Sequence, residues 1–306
     1  MSASWARPRQ MAAERAVVQA RALAEINLSL HVLGVRPDGY HELRTIFQSI
    51  AVHDTLTFRI KVGPFRLSCD EPACPVDGTN LVWRAARQLW TASGHRGAPR
   101  DVAVHLTKRI PIQAGLGGGS SDAAATLTAL AKLWRVGSAR VQRVARALGA
   151  DVPYFLEGGT VLGLDRGDLL FPLIDIPPSW ITLVVPDVGV DTSEAFGWWD
   201  EARQRDAWFA NDLQPEVARH HREIGRLVRR LERLGAGQAA MSGTGSAVYG
   251  LFERRSDARR AARALDGPGR RTFLTRTVNR ATYQRLAGIQ AHRINLPFAP
   301  RDSGHS

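Results

Sequence analysis

The middle of the chain contains the stretch Gly115-Leu116-Gly117-Gly118-Gly119-Ser120-Ser121-Asp122, which leads directly into a helical pattern over residues 123–134. A glycine in regular structure costs roughly 0.5–1 kcal/mol relative to alanine, because it loses more backbone freedom on folding. Four glycines within five residues therefore indicate a place where bare backbone is needed. Free amides at the start of a helix carry partial positive charge and bind phosphate groups. The stretch predicts a phosphate-binding loop.

Other known phosphate-binding loops do not fit this stretch. No Gly-Lys-Ser or Gly-Lys-Thr occurs in the chain, which excludes a Walker A loop. The sixth position counted from Gly115 is Ser120, where the dinucleotide-binding fingerprint has glycine or alanine. The His-Arg-Asp and Asp-Phe-Gly triplets of protein kinases are absent as well. A tight turn between a strand and a helix, without a ligand, stays open as the alternative.

Strand and helix patterns surround the loop. Before it, alternating apolar residues predict strands over residues 16–33 and 102–110, a strand pair over residues 47–60 that turns at His53 and Asp54, and a helix over residues 80–90. After it, a helix is predicted over residues 139–148, and Pro177-Pro178 indicates a boundary between two domains, residues 1–175 and 176–306.

The second half has a regular order of elements. It begins with one long helix from Pro215 to Leu234, and then come strands ending at Met241 and Phe252, a helix over residues 256–265 and a strand over residues 272–278. This order of helix, strand, strand, helix and strand predicts an α+β sandwich with helices on one face of an antiparallel sheet. Residues 295–306 are expected to form a polar tail.

The composition limits the function classes. The 306 residues include 41 Lys+Arg against 29 Asp+Glu, and a net charge of +12 favours nucleic acid, an anionic membrane surface or polyanionic small molecules as partners. No apolar run is long enough for a membrane span or a secretory signal, so a cytoplasmic protein is expected. Cys69 and Cys74 are too few for a disulfide framework or a structural zinc site, and we predict no protein metal site.

Four ordered blocks carry a resemblance to a known family. Residues 111–121 resemble the ATP-binding motif of the GHMP kinases. Three further blocks are similar to motifs of one family within that superfamily, the 4-diphosphocytidyl-2-C-methyl-D-erythritol kinases: residues 27–48, which include Asn27-Leu28-Ser29-Leu30 and Asp38-Gly39-Tyr40-His41, residues 148–155 and residues 241–246.

The resemblance implies a fold and a reaction. The expected GHMP kinase fold pairs an N-terminal α/β domain like domain 2 of ribosomal protein S5 with a C-terminal ferredoxin-like α+β sandwich, and the active site lies between them. The expected reaction uses ATP and Mg²⁺ to phosphorylate the 2-hydroxyl of 4-diphosphocytidyl-2-C-methyl-D-erythritol in the non-mevalonate route to isoprenoid precursors. The partner would then be this small CDP-linked alcohol, with neither nucleic acid nor membrane, for a monomer or homodimer.

The resemblance also assigns residues to ATP. The triphosphate would be bound by the loop amides, Mg²⁺ would contact Ser121, and Asn80 would lie near the adenine. The full set is Asn80, Lys108, Pro111, Ile112, Gln113, Ala114, Gly115, Leu116, Gly117, Gly118, Gly119, Ser120 and Ser121. Two alternatives stay open from the residues alone, since Asn80 also suits a helix cap and Lys108 an exposed lysine at a strand end.

The substrate side and the catalytic residue follow from the same blocks. The substrate set is Asn27, Tyr40, His41, Thr192, Phe196, Gly243, Thr244 and Gly245, with Tyr40 and His41 at the cytidine and Phe196 as their aromatic partner. Asp151 is the expected base or orienting group for the attacking hydroxyl, and a helix N-cap is its alternative.

One position departs from the family pattern. The family has a lysine two residues before the asparagine that matches Asn27, and this chain has Glu25 there. Two unit charges about 4 Å apart interact by roughly 4 kcal/mol at an effective dielectric constant of 20, so reversing the sign is a large change. Three consequences stay open: an arginine such as Arg21 or Arg44 substitutes, Glu25 helps to hold Mg²⁺, or catalysis is impaired.

Three functional alternatives to this kinase accordingly remain. One is a GHMP kinase-like protein with impaired catalysis because of Glu25. Another is a GHMP kinase that acts on a different substrate. The third is a non-enzymatic RNA-binding protein on an S5-like fold, which would explain the basic charge but leaves the glycine loop and Asp151 without a role.

Overall fold

The computed structural model describes residues 17–202, 210–288 and 290–292, and the polar tail expected over residues 295–306 lies outside them. The strands within the described residues are β1 (Val17–Val35), β2 (His41–Pro64), β3 (Arg66–Cys69), β4 (Arg100–Thr107), β5 (Thr160–Asp165), β6 (Leu169–Pro172), β7 (Trp180–Pro186), β8 (Gln238–Met241), β9 (Val248–Phe252), β10 (Arg270–Arg276) and β11 (Gln290–His292). The helices are α1 (Leu81–Ala92), α2 (Gly118–Trp134), α3 (Ser138–Leu148), α4 (Tyr154–Glu157), α5 (Thr192–Glu201), α6 (Gln214–His220), α7 (Arg222–Arg233), α8 (Arg255–Leu265) and α9 (Arg280–Ala287).

The first sheet is organised around the long strands β1 and β2. Its order is β11-β1-β2-β4-β3, and β5 pairs with β2 and carries β6 at its other edge. Only the β3–β4 pair is parallel among the described strands of this sheet. The first half of β2 pairs with β5 and its second half with β4, so one strand serves two neighbours.

The strand pair predicted over residues 47–60 is therefore wrong. His53 and Asp54 do not turn the chain, because they lie inside the continuous strand β2. The side chain of Asp54 is fully buried and accepts hydrogen bonds from the backbone amides of Arg109 and Ile110. The polar pair that suggests a turn in the sequence is an internal anchor in the structure.

Helices α1, α2 and α3 cover one face of this sheet. The buried side chains of α1 recur at helical spacing and include Val82, Ala85 and Leu89. Helix α2 is rich in alanine, and its first turns are buried on nearly all sides, with Ala123 and Leu127 fully inaccessible. Small side chains allow α2 to lie close to β1, which brings the start of the helix to the middle of the molecule.

The second sheet confirms the α+β prediction. Its four strands have the order β10-β7-β9-β8, and all pairs are antiparallel. Strand β7 precedes the predicted series, so the order is strand, helices, strand, strand, helix, strand, which is the ferredoxin-like arrangement. The buried face of α7 contains Ile224, Leu227, Val228 and Leu231, as the sequence predicts.

The single helix predicted from Pro215 to Leu234 is wrong in one respect. The chain leaves helical geometry at His221, where φ is −122° and ψ is 78°, and this residue separates α6 from α7. The ring of Trp198 stacks on His220 with centroids 4.0 Å apart and also contacts His221. The break therefore lies where the helical segment turns around α5.

The end of the described chain returns to the first sheet. Helix α9 packs near β1, and β11 pairs with β1 through Val17 and His292. The domain boundary between residues 175 and 176 stays a prediction. None of the helices in the described part of the chain is long and apolar enough to cross a membrane.

Candidate active site

The glycine loop ends in the first turn of α2. The helix begins at Gly118, five residues before the predicted pattern, and its N-cap is Gly117 with a left-handed φ of 64°. No side chain caps this end of the helix. The first amides of α2 are thus left for another acceptor, as a phosphate-binding site requires.

Two of the glycines are required by close packing. A Cβ atom at Gly115, where φ is +68°, would lie 2.3 Å from the carbonyl oxygen of Ser242. A Cβ atom at Gly117 would lie 2.4 Å from Cζ of Phe155 and 3.2 Å from Cγ of Glu25. At Gly119 the closest atom would be 3.5 Å away and the residue is exposed, so this glycine leaves open space beside the helix start.

A second glycine loop, residues 242–246, lies against the first. The hydroxyl of Ser242 donates to the carbonyl oxygen of Gly115 at 2.7 Å, and the amide of Ala247 donates to the carbonyl oxygen of Ala114 at 3.0 Å. These bonds join the loop before α2 to the loop between β8 and β9. The two predicted glycine motifs are far apart in the chain, yet these hydrogen bonds join them into one double loop.

Asn27 connects both loops to β1. Its Oδ1 accepts a hydrogen bond from the amide of Gly243 at 2.7 Å, and its Nδ2 donates to Oγ1 of Thr45 at 2.8 Å. The side chain is buried, and its backbone oxygen accepts from the hydroxyl of Tyr249. Asn27 is therefore a clamp between the two sheets, and its contact with substrate stays a prediction.

Asp151 and Glu25 lie beside the start of α2. Asp151 follows α3 and is half-buried, and Glu25 lies on β1 with 4% of its surface exposed. Burial and then the charge of Asp151 raise the pKa of Glu25 well above its usual value. Burial and then the charge of Asp168 raise the pKa of Asp151. The arrangement brings two carboxyl groups together next to the phosphate-binding loop.

No cation neutralises this pair within the described residues. Oε2 of Glu25 is buried and has no hydrogen-bond partner there. Neither Arg21 nor Arg44 forms an ion pair with Glu25 or Asp151 in the described structure, so neither takes the place of the family lysine there.

Lys108 lies below the loop in a buried cluster of charges. Its Nζ contacts Oδ2 of Asp54 and lies 2.9 Å from Oδ2 of Asp122. Burial alone would lower the pKa of Lys108, but the charges of Asp122 and Asp54 outweigh it and raise the pKa. Burial, and after it the charge of Asp54, raises the pKa of Asp122 to about 8, although Lys108 opposes the shift. The alternative of an exposed lysine is wrong, and its contact with ATP stays a prediction.

Asn80 and Ser121 have structural bonds that the sequence leaves open. Asn80 is the N-cap of α1, where its Oδ1 accepts from the amide of Val82 at 2.8 Å, so the helix-cap alternative is confirmed. The hydroxyl of Ser121 is buried and donates to the carbonyl oxygen of Leu23 at 2.7 Å. This bond fixes the first turn of α2 to β1. The roles of both residues toward ATP and Mg²⁺ stay predictions.

An aromatic cluster forms the far end of the site. The ring of His41 stacks on Phe196 with centroids 4.4 Å apart, and its Nε2 lies 2.9 Å from Oδ1 of Asp200. Tyr40 is 59% exposed, and the guanidinium of Arg166 lies 5.3 Å from its ring centroid. The structure thus brings together His41 and Phe196, which are far apart in the sequence.

The same end contains residues that sequence reasoning missed. Arg166 and Asp168 lie on the turn between β5 and β6 and form an ion pair with an N···O distance of 2.8 Å. The guanidinium of Arg166 lies over the Tyr40 ring, and the charge of Asp168 acts on Asp151. Thr192 and Thr244, both in the predicted substrate set, have their hydroxyl oxygens 3.5 Å apart, so α5 contacts the second glycine loop. No spacing in the sequence points to Arg166 or Asp168, because a short turn with charged residues is typical of any exposed hairpin.

Comparisons with known proteins agree with this geometry. The family described as "GHMP kinases N terminal domain" matches residues 80–159, and "GHMP kinases C terminal" matches residues 193–271. The chain is 41% identical to a 4-diphosphocytidyl-2-C-methyl-D-erythritol kinase of Solibacter usitatus, over 92% of this chain and 96% of that protein. A similar enzyme of Pelotomaculum thermopropionicum is 37% identical over 86% of this chain and 99% of its own length.

Solved structures give the same result. A crystal structure of a 4-(cytidine 5'-diphospho)-2C-methyl-D-erythritol kinase superposes with a TM-score of 0.71 at 34% identity, over 85% of this chain and all of that one. A mevalonate kinase of Methanococcus jannaschii superposes with a TM-score of 0.65 at 12% identity, over 88% of this chain and all of that one, which shows the shared fold. The predicted GHMP kinase fold is thus confirmed.

Proposed function

The chain belongs to the family of 4-diphosphocytidyl-2-C-methyl-D-erythritol kinases within the GHMP kinases, and from this premise we propose how its residues carry out the reaction. The protein is an ATP-dependent kinase of isoprenoid precursor synthesis that phosphorylates this CDP-linked alcohol. The γ-phosphoryl group of ATP goes to the 2-hydroxyl of the methylerythritol unit.

One observation carries the assignment of roles. The uncapped first turn of α2 lies directly beside the carboxyl pair, since Gly117 would contact Glu25 with any side chain larger than hydrogen. A triphosphate at these amides would therefore end close to Asp151. Positioning and charge stabilisation supply most of the catalysis in phosphoryl transfer, so this juxtaposition is what the reaction needs.

Asp151 is the base or orienting group in this proposal. The pKa of Asp151 is raised toward the working pH. A general base with such a pKa accepts a proton more readily than an ordinary carboxylate does. The residue is half-buried and adjoins the loop, so an attacking hydroxyl can reach it.

The oxygen ligands that the described residues offer suit a magnesium ion that binds together with ATP. No group of three or more His, Cys, Asp or Glu within those residues could hold a metal ion alone. Mg²⁺ usually keeps several waters and binds through one or two protein oxygens together with phosphates. The hydroxyl of Ser121, which donates its proton to Leu23 and keeps its lone pairs for an acceptor role, is the proposed protein contact. The bound ion would neutralise charge on the phosphate oxygens.

The aromatic end is proposed to hold the cytidine. Tyr40 is exposed, His41 and Phe196 already stack, and Thr192 and Thr244 lie beside them. Asn27, Gly243 and Gly245 are proposed to contact the methylerythritol diphosphate from the second loop. The exposed backbone of Gly119 and the N-cap region of α1 at Asn80 are proposed for ATP, with residues 111–121 around the phosphates.

The relatives do not favour the alternatives. Curated proteins at 36–41% identity over most of the chain have the kinase name, which argues against an RNA-binding protein, another GHMP substrate or impaired catalysis. A cytoplasmic location, a monomer or homodimer, and no nucleic-acid or membrane partner stay part of the proposal.

A coupled assay of ADP release tests the function. We expect ADP release from ATP and Mg²⁺ that depends on the CDP-linked alcohol, and we expect Asp151→Asn to reduce it by about 10²–10⁴-fold, as for loss of a general base. Asp266→Asn, at an exposed aspartate after α8, is the matched control and should retain parent activity. ADP release that does not respond to the alcohol would contradict the proposed substrate.

A further inference from the structure

Glu25 lies in an environment that offers its carboxyl group no partner. On β1 it pairs in register with Ser49 of β2, and Gly117 at the start of α2 packs on its Cγ. The titratable groups around it are Asp151 after α3, Tyr154 of α4 and Tyr249 of β9, each linked to Glu25 by an electrostatic effect. No basic side chain is among these neighbours in the described structure.

The two tyrosines cannot satisfy the carboxyl group, because their hydroxyl groups are already engaged. The hydroxyl of Tyr154 lies 2.9 Å from the carbonyl oxygen of Gly159 and 2.7 Å from Oγ of Ser49. The hydroxyl of Tyr249 donates to the carbonyl oxygen of Asn27 at 2.9 Å. Oε2 of Glu25 is thus buried without a hydrogen bond in the described residues.

Two adjacent carboxyl groups without a cation do not both ionise, because burial and mutual repulsion each oppose the second charge. Glu25 is 4% exposed, whereas Asp151 is half-buried and so keeps more contact with solvent. The proton therefore belongs on Glu25, and Asp151 keeps the charge that a base needs. The buried, unpartnered Oε2 is then the carbonyl oxygen of a neutral acid, and Oε1 carries the proton beside the phosphate-binding loop.

We infer that Glu25 acts as a neutral carboxylic acid whose O–H donates a hydrogen bond to an oxygen of the phosphoryl group under transfer, an inference that rests on the proposed function. An ionised carboxylate at this place would repel the phosphoryl oxygens. A protonated one stabilises them, because donors aimed at developing negative charge in a dry site act strongly. Glu25 is thus a further catalytic residue rather than a defect.

Two variants with side chains of similar length distinguish a hydrogen-bond donor at position 25 from a charge there. Glu25→Gln keeps a neutral hydrogen-bond donor but cannot titrate, and Glu25→Met has neither a donor nor a charge. We expect Glu25→Met to lower kcat by about 10²–10³-fold, the usual effect of removing one such donor, with a much smaller effect on KM for ATP. Glu25→Gln should keep kcat within about tenfold of the parent, since one aligned hydrogen bond is retained. We also expect kcat of the parent to fall as Glu25 ionises with rising pH, and Glu25→Gln should lack this fall.

Two readouts report the proton without using activity. The infrared spectrum of the parent at neutral pH should contain a band of a buried protonated carboxyl group that is missing from Glu25→Gln. The second readout is the free energy of unfolding. The folded parent holds the Glu25 proton to higher pH than the unfolded chain, so its stability relative to Glu25→Gln should fall as pH rises above the usual value of 4.5.

The possible results differ for this inference and for the proposed function. A parent that phosphorylates the CDP-linked alcohol, together with an inactive but folded Glu25→Gln, would mean that Glu25 acts as a charge or a cation ligand, which overturns the inference alone. An active Glu25→Met, or a parent without the protonated carboxyl band, overturns it as well. A parent without kinase activity overturns the proposed function and the donor role, while the infrared band still reports where the proton lies.

Discussion

Asp168 affects the base through space, since its charge adds to burial in raising the pKa of Asp151. Asp168→Asn removes that charge, so the pKa of Asp151 should fall and the carboxylate should stay ionised at lower pH. We expect the acid limb of the kcat/KM profile to move to lower pH, measured for parent and variant side by side. Asp266→Asn should leave the limb in place. An unmoved limb in Asp168→Asn would mean that another group limits the reaction at acid pH.

The residues of the site differ in how visible they are in the sequence. Asp151 and the glycine loops belong to contiguous motifs, and the contacts of His41 with Phe196 follow once the family is identified. Asp54 and Asp168 could not be found in this way, because a polar residue in a short segment reads as a turn whether it is exposed or buried. Their roles depend on which distant side chains the sheet brings to them.

Gly115 and Gly119 make a matched pair at the scale of the loop. A Cβ atom at Gly115 would be 2.3 Å from the Ser242 carbonyl oxygen, and the left-handed φ of +68° adds strain. Gly115→Ala should therefore separate the two loops, lower the free energy of unfolding by about 1–3 kcal/mol and reduce kcat. Gly119→Ala has room for its Cβ atom and should keep parent stability, measured by denaturant unfolding. Equal stability of the two variants would contradict the packing argument.

The cluster of Asp54, Lys108 and Asp122 anchors the loop before α2 to β2 and to the helix. Lys108→Met leaves two buried carboxylates without a cation, so we expect a loss of about 3–5 kcal/mol in the free energy of unfolding near neutral pH. The loss should shrink toward pH 5, because the carboxyl groups can then take up protons. Lys61→Met, at an exposed position of the same strand, is the control for denaturant melts at both pH values. A loss that does not change with pH would argue against the charge cluster as its cause.

Elements with strong apolar periodicity could be predicted, and their interruptions could not. The buried side chains of α1 and α7 recur at helical spacing, as apolar periodicity predicts. The break at His221 and the continuity of β2 through His53 depend on contacts with other elements, namely the Trp198 ring and the backbone amides near Ile110. The early start of α2 at Gly118 was hidden because glycine has low helix propensity, and tertiary contacts override it here.

The two sheets are held together at Asn27, so the stability of the whole molecule should depend on this one amide. Asn27→Ala leaves the amide of Gly243 and the hydroxyl of Thr45 without their partner, which should lower the free energy of unfolding by about 1–3 kcal/mol. It should also raise KM for both substrates, because the hydrogen bond that positions the second glycine loop against β1 is lost, and the first loop packs on the second. Asn279→Ala removes only the cap of α9 and should lower stability by about 1 kcal/mol without changing either KM. Unchanged KM values in Asn27→Ala would limit its role to packing.

The architecture was predictable at the level of fold class and of the ferredoxin-like half, since both follow from the order of elements and from the family blocks. The return of the chain to the first sheet was not, because β11 has three residues and no periodic pattern can identify so short a strand. Pairing between Val17 and His292 is a property of the complete chain rather than of either half.

That pairing has a consequence for the chain during its synthesis. Among the described strands, β1 can pair with β2 early in synthesis, but the other edge of its segment Val17–Gln19 finds its described partner only when β11 emerges. Strand edges without partners pair readily with other chains, and contacts between distant residues form slowly. A nascent chain whose ferredoxin-like half is not yet made therefore exposes an unpaired strand edge. Strand β11 therefore covers a short strand edge that stays open while the rest of the described chain is made.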